Sequence, residues 1–370
     1  QKRRFSRSLA TKAGAALDAA VIRALGFAVG RSGPTRGPKD AKETLEWLAD
    51  HYGRPEFLTQ PELFFQRPEV PNAFCVRRQD LSDGGSITDI RFRSGYEPFW
   101  HEYRDSYRAY EENQIVCARW YRGQKAPRPT GIFLHGMGGG PYFLEEKIFS
   151  VRNFLAAGLD VVLFQLPFHG DRRPHDAPRM GVMFPSPYVP RTNEGFGQAI
   201  HDLRAIIHWL HDHDVPQVGV FGMSLGAYTG ALLATVEAEL SFVVPMIPAV
   251  SLAGLMWHHG RRNKIRRYAE RAGVTEDLLA RALSVHSPLS RQPRVDKDRC
   301  FIIAGEGDRV CPPEHAKTLW EHWGRPRLHW FAGGHVAQFG RHQAFSALTD
   351  WLLQIGLLTP ANARGCTTNL

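Results

Sequence analysis

Apolar positions along the chain fall into two patterns. Short runs, most of them nearly continuously apolar, predict strands at Ser86–Phe92, Gln114–Trp120, Thr130–His135, Asp160–Gln165, Gln217–Phe221, Phe242–Ile247, Cys300–Ala304 and Leu328–Phe331. Between most of them the period is helical. Glu194–His213 places Phe196, Ile200, Leu203, Ile207 and Leu210 on one stripe, and Phe143–Ala157, Leu225–Ala238, Pro313–Trp323 and Val336–Ile355 also read as helices. Strands that are apolar on both faces and alternate with helices predict an α/β fold, a mostly parallel sheet covered on both sides. Two segments break the alternation. Residues 167–192 hold six prolines, and residues 249–298 hold helical periods rich in basic side chains. Insertions on such a scaffold sit over the carboxyl ends of the strands, where ligands bind, so both read as walls or lids of a pocket.

The pattern divides the chain into a helical arm (1–40), an extension of helix, irregular chain and a first strand (41–113), and a core (114–370). With 43% hydrophobic residues the chain can bury a sizeable core, which excludes wholesale disorder. No uncharged apolar run approaches the ~20 residues needed to span a bilayer. The net charge of +9 is uneven. Residues 1–39 carry nine Lys/Arg and a single acid, Asp18, so the remainder is close to neutral. With no interleaved aromatic and basic motif, nucleic acid is not an expected partner. The arm reads as an Ala/Leu/Val helix ending near Arg31, and Asp18 and Arg23 interrupt it too much for a signal-peptide core. It is either a docked or solvated helix, or a segment (1–37) for peripheral contact with anionic membrane. The five Cys are odd in number and far apart, which excludes a disulfide scaffold or CxxC zinc site and suits a reducing, cytoplasmic compartment.

Candidate chemistry begins at Gly222-Met223-Ser224-Leu225-Gly226, between a strand and an Ala-rich helix. A sharp turn there pushes the serine hydroxyl out above the sheet, and the glycines leave room where side chains would collide. A serine is a poor nucleophile without a base, and the base needs an orienting acid. Asp308 follows the strand Cys300–Ala304, and His335 follows the strand ending at Phe331. Both therefore reach the sheet edge that holds Ser224, in the chain order serine, acid, histidine. No acid follows the strand ending near Ile247, and Glu306 is the nearest rival to Asp308. An oxyanion hole needs two backbone N–H groups. One is assigned to Leu225. The other falls in the loop His135-Gly136-Met137-Gly138-Gly139-Gly140 and is assigned to Met137, with Gly138 the alternative. His135, Gly136, Gly138, Met223, Phe168, Met256 and Trp257 are the expected substrate-binding residues. His169, Asp171, His175 and Asp176 share a Pro-rich loop without ligand spacing, so neither a metal nor an organic cofactor is expected.

His135-Gly136, Gly222–Gly226, Asp308 and His335 occur in the order of an α/β-hydrolase, which the chain resembles over about residues 114–357. The resemblance implies an α/β-hydrolase fold: a mostly parallel eight-stranded sheet, helices on both faces and a cap inserted after the sixth strand. Pro167–Asp171 loosely resembles the family's Gly-His-Gly loop, with Phe168 in place of the first glycine. The implied activity is hydrolysis of a small-molecule carboxylic ester or thioester through an acyl-enzyme. The same residues would serve an acyltransferase or a membrane-surface lipase, and the latter predicts that removing residues 1–37 spares hydrolysis of soluble esters. A non-catalytic scaffold is the third reading, and an intact serine, acid and histidine argue against it.

Overall fold

The structure, a computed structural model, describes residues 8–29, 38–72, 74–82, 84–124, 127–177, 181–260 and 264–359. The expected apolar strands form as β2 (Ser86–Arg93), β3 (Ile115–Arg122), β4 (Thr130–Leu134), β5 (Asp160–Phe164), β6 (Val218–Met223), β7 (Leu240–Met246), β8 (Phe301–Gly305) and β9 (Arg327–Phe331). One further strand, β1 (Phe74–Asp80), precedes them. The sheet thus has nine strands among the described residues rather than eight, in the order β1-β2-β3-β5-β4-β6-β7-β8-β9. β1 pairs only with β2, and Arg77, Arg78, Gln79 and Asp80 are exposed. An edge strand with no buried face at that end has no apolar alternation to read.

Neighbours from β4 and β5 through to β9 run parallel, while β1, β2, β3 and β5 pair antiparallel. β4, β5 and β8 are buried at every position, as a sheet covered on both faces requires. Successive side chains go to opposite cores. Ile132 and Leu134 join one cluster, and Phe133 between them joins the other.

The helices are α1 (Leu9–Val29), α2 (Pro38–Tyr52), α3 (Glu56–Thr59), α4 (Arg104–Arg108), α5 (Tyr142–Ile148), α6 (Val151–Ala157), α7 (Val189–Asp212), α8 (Leu225–Leu233), α9 (Leu252–His259), α10 (Lys264–Arg271), α11 (Glu276–Ala282), α12 (Pro313–His322) and α13 (Arg341–Gln354). α2, α7, α8, α11 and α12 supply side chains to the first cluster, and α6 and α13 to the second. The expected helix Phe143–Ala157 is two helices, because Ser150 adopts φ 52° and turns the chain, leaving Phe149 and Val151 both buried. α7 begins at Val189, with Pro190 in its first turn. α8 stops at Leu233, and α13 starts only at Arg341, because residues 333–340 form a loop closed by the Gly333 N–H on the Phe339 carbonyl (2.9 Å).

The extension is tied to the core by a buried carboxylate. Glu194 of α7 accepts hydrogen bonds from the hydroxyls of Tyr52 and Tyr96 (both 2.6 Å) and from the backbone N–H groups of Phe99 (2.9 Å) and Trp100 (3.0 Å). Four donors offset the desolvation of one buried acid. α9, α10 and α11 stand between β7 and β8, and α2 packs against α10 and α11. The basic run there is partly in view: Arg261 and Arg262 lie outside the described residues. Arg266 lies over the Trp257 ring at 4.6 Å and pairs with Glu270 at 2.8 Å.

Candidate active site

β6 ends at Met223 and α8 begins at Leu225, so Ser224 makes the whole turn, at φ 57° and ψ −110°. A non-glycine residue held there stores on the order of 1–3 kcal/mol of strain. The glycines make the turn possible. A Cβ on Gly222 would lie 2.0 Å from the Gly226 carbonyl oxygen, and a Cβ on Gly226 would lie 2.0 Å from that of Leu134. The Ser224 N–H bonds to the Met246 carbonyl of β7 at 3.0 Å. Leu225 is the first residue of α8, so its N–H has no acceptor within the helix.

Ser224 Oγ lies 2.9 Å from His335 Nε2, and His335 Nδ1 lies 2.8 Å from Asp308 Oδ2. Asp308 is 1% exposed. Its other oxygen, Oδ1, accepts the backbone N–H groups of Val310 (2.9 Å) and Cys311 (2.7 Å). The two oxygens therefore divide between the chain and the imidazole. Burial works against charge on His335, but the Asp308 carboxylate outweighs it and pushes the ring well above the ordinary histidine range. Cys311 is buried beside this pair, and burial pushes its thiol up.

The glycine loop after β4 passes over the serine. A Cβ on Gly136 would lie 3.6 Å from Ser224 Cβ. His135 shapes that loop. The Leu166 N–H donates to His135 Nε2 (3.1 Å), which leaves Nδ1–H to donate to the Gly136 carbonyl (2.8 Å). Burial, with the nearby His169 adding to it, pushes this ring down to about 3, consistent with a neutral imidazole that holds backbone. Gly140 is held by its N–H on Glu145 Oε1 (2.9 Å) and by Gln165 Nε2 on its carbonyl (2.9 Å). Met137 is 54% exposed, and Gly138, at φ 82°, faces open space.

The other sequence-chosen residues are placed unequally. Met223 adjoins Ser224, and its sulfur receives Gln338 Nε2 at 3.5 Å. Phe168 is buried with its ring against Tyr107 and Tyr110, centroids 5.7 and 5.3 Å away, inside the extension's aromatic cluster. Met256 and Trp257 are half-buried on α9, where Arg266 caps the Trp257 ring. α9 is latched to the acid loop through His259 Nε2, 2.8 Å from the Val310 carbonyl oxygen. In the Pro-rich loop, His169 Nδ1 bonds to the Pro167 carbonyl, Asp171 pairs with Arg91, and His175 lies near Glu112. These side chains have separate partners.

Two residues near the site escaped the sequence reading. Gln338 Nε2 donates to the His335 carbonyl at 3.0 Å. Asp18 of α1 is fully buried, and its carboxylate accepts the backbone N–H groups of Arg309 (2.9 Å), His335 (2.7 Å) and Val336 (2.9 Å). Its signal in the sequence was slight: one acid among nine basic residues.

The sheet order and the serine at positive φ after β6 define an α/β-hydrolase, and the chain belongs to that superfamily. Residues 105–264 match the family described as alpha/beta hydrolase domain containing 18. The "Uncharacterized protein Rv2627c" of Mycobacterium tuberculosis is 32% identical over 316 residues, which cover 84% of this chain and 74% of that protein. Among solved structures, the acetyl xylan esterases of Paenibacillus sp. and Thermoanaerobacterium sp. superpose with TM-scores of 0.58 and 0.59, each at 16% identity. The first covers 82% of this chain and 98% of its own, the second 84% and 98%. At that identity the likeness is one of fold. No helix among the described residues is long and apolar enough to cross a membrane.

Proposed function

We propose that the chain is a serine hydrolase that cleaves a carboxylic ester or thioester through an acyl-enzyme on Ser224. The observation that carries this reading is the continuous hydrogen-bonded path from Ser224 Oγ through His335 to Asp308, 2.9 and then 2.8 Å, on a serine held at φ 57°. His335 Nε2 takes the hydroxyl proton as Oγ attacks the substrate carbonyl, and Nδ1–H stays on Asp308 Oδ2. The oxyanion is held by the N–H groups of Leu225 and Met137. His335 then gives its proton to the leaving alkoxide or thiolate, and the acyl group stays on Oγ. Water enters, loses a proton to the same nitrogen and attacks the acyl carbon. Collapse returns that proton to Ser224 and releases the acid. Nucleophile, base and oxyanion donors all come from the chain, so the reaction needs no cofactor. Met137, Val182, Val336 and Phe339, in or beside the glycine loop, the Pro-rich loop and the histidine loop, are large apolar side chains left exposed, which favours a substrate with an apolar part. On this reading α9, α10, α11 and the described residues of the Pro-rich loop form the cap and wall of the site, with α2 bracing the cap.

The test is hydrolysis of p-nitrophenyl esters from acetate to palmitate, with a fluorophosphonate probe and peptide mass spectrometry to find the modified residue. The expected result is a chain-length optimum and a covalent adduct on Ser224. A probe that labels another residue, or none while esters turn over, would overturn the assignment.

The raised His335 fixes the pH behaviour. The base works only when neutral, so kcat/KM should climb with pH through the folded-state value of the ring, which lies above the ordinary 6.5. Stability runs the other way. A group raised in the folded state contributes fully below its unfolded value, and that contribution disappears as pH rises through the folded one. As pH rises above the ordinary histidine value of about 6.5, activity should therefore rise while the His335 contribution to Tm declines. An acid limb centred at or below the ordinary histidine value would contradict the Asp308–His335 pairing.

A further inference from the structure

We propose that Asp18, on the amino-terminal helix, is a positioning residue of this site that fixes the acid and histidine loops to one another. The inference rests on the serine-hydrolase reading. Asp308 and His335 stand on loops after different strands, β8 and β9. Beyond the strand ends those loops share the Gly307 N–H on the Gly333 carbonyl (2.9 Å). Asp18 supplies a second tie farther out. Oδ2 takes the N–H of Arg309, next to the acid, and that of His335 itself, while Oδ1 takes that of Val336. One carboxylate thus holds the backbone on both sides of the 2.8 Å Asp308–His335 bond. Charge-assisted bonds of this kind are among the stronger ones a backbone N–H makes.

The surroundings are shaped for this contact. A Cβ on Gly334 would lie 2.7 Å from Asp18 Oδ2, and a Cβ on Gly14 would lie 2.4 Å from the Gly334 nitrogen. A Cβ on Gly307 would lie 2.5 Å from the Thr11 carbonyl oxygen. Three glycines, Gly14 on the helix and Gly307 and Gly334 directly before the two catalytic residues, let α1 lie directly on the two loops. An apolar helix meant only to bury surface would not need a buried acid aimed at backbone donors. Taken as a segment for peripheral membrane contact, the arm would be separable from the core, and its removal would spare hydrolysis of soluble esters. The contact implies the reverse, that removing α1 impairs turnover.

The experiment compares the full chain with Asp18→Asn, Asp18→Glu and, as an exposed control on the same helix, Leu17→Ala. Asparagine keeps one acceptor oxygen but turns an NH2 towards a backbone N–H. Misplacement of a catalytic group by about 1 Å lowers rates by about 100-fold, so kcat should fall by roughly 10- to 100-fold with KM within about twofold. The far-downfield proton NMR signal of His335 Nδ1–H, read without substrate, should shift or broaden. Leu17→Ala should match the parent in both. If Asp18→Asn does not fold, Asp18→Glu decides, since it keeps the charge but misplaces the oxygens. Its kcat should also fall and its Nδ1 signal move. Parent-like kcat and an unchanged Nδ1 signal in a folded Asp18 variant would overturn the inference. If the parent shows no Ser224-dependent turnover, the hydrolase reading fails, and the Nδ1 signal alone still decides whether Asp18 holds the histidine.

Discussion

Replacing Ser224 by alanine should lower kcat on the esters that the parent hydrolyses by on the order of 10⁴-fold or more, with KM little changed. The substitution removes one oxygen, and that oxygen is both the nucleophile and the partner of His335 Nε2 at 2.9 Å. The remaining parts survive. His335 keeps its Asp308 bond, the Leu225 N–H still opens α8, and Gly136 still lies over the turn. Binding and oxyanion stabilisation alone leave about 10³- to 10⁴-fold over water, so the variant should be slow rather than inert. Alanine at φ 57° is no more comfortable than serine, and folding stability should stay within about 1 kcal/mol of the parent. Stopped assays on purified variant and parent, with thermal melts beside them, decide it. A residual rate within about tenfold of the parent would move the nucleophile elsewhere. A biological role untouched by the variant would favour the scaffold reading.

How far the sequence reaches depends on whether a residue's role leaves a local trace. Ser224, Asp308 and His335 each sit directly after a near-continuous apolar strand, and a parallel sheet puts all such positions on one edge. That is why residues 84 and 111 positions from Ser224 could be matched to it in advance, and why His335 does lie 2.9 Å from Ser224. The two glycines of the turn were legible for the same reason, since their cost is local. Asp18 had no such trace. Its partners are 291, 317 and 318 residues away, and an acid inside a basic helix reads as an interruption of an apolar stripe. β1 was missed because its described side chains, Arg77 to Asp80, are all exposed on an edge strand and carry no apolar alternation. Phe168 shows a third kind of loss. An aromatic residue after a strand has the same composition whether it lines a pocket or, as here, packs on Tyr107 and Tyr110.

Asp308→Asn should also lower kcat by on the order of 10⁴-fold, though the side chain keeps its size and never touches substrate. Oδ1 serves two backbone donors, Val310 and Cys311, and Oδ2 serves one, His335 Nδ1. An amide has only one acceptor oxygen, and satisfying the two backbone N–H groups keeps it on their side. The NH2 then faces His335 Nδ1, which must accept rather than donate. The proton moves to Nε2, where it points at Ser224 Oγ, and a ring in that tautomer cannot take the serine's proton. The ring also loses the anion that raised it, so the acid limb of what activity remains should move to lower pH than the parent's. The fold should lose only about 1–2 kcal/mol, because every buried group still has a partner. A pH profile of kcat/KM with a thermal melt checks all three points. If Asp308→Asn hydrolyses esters within about tenfold of the parent, the orienting acid is another carboxylate, and Glu306, two residues earlier in the same loop, is the next to replace.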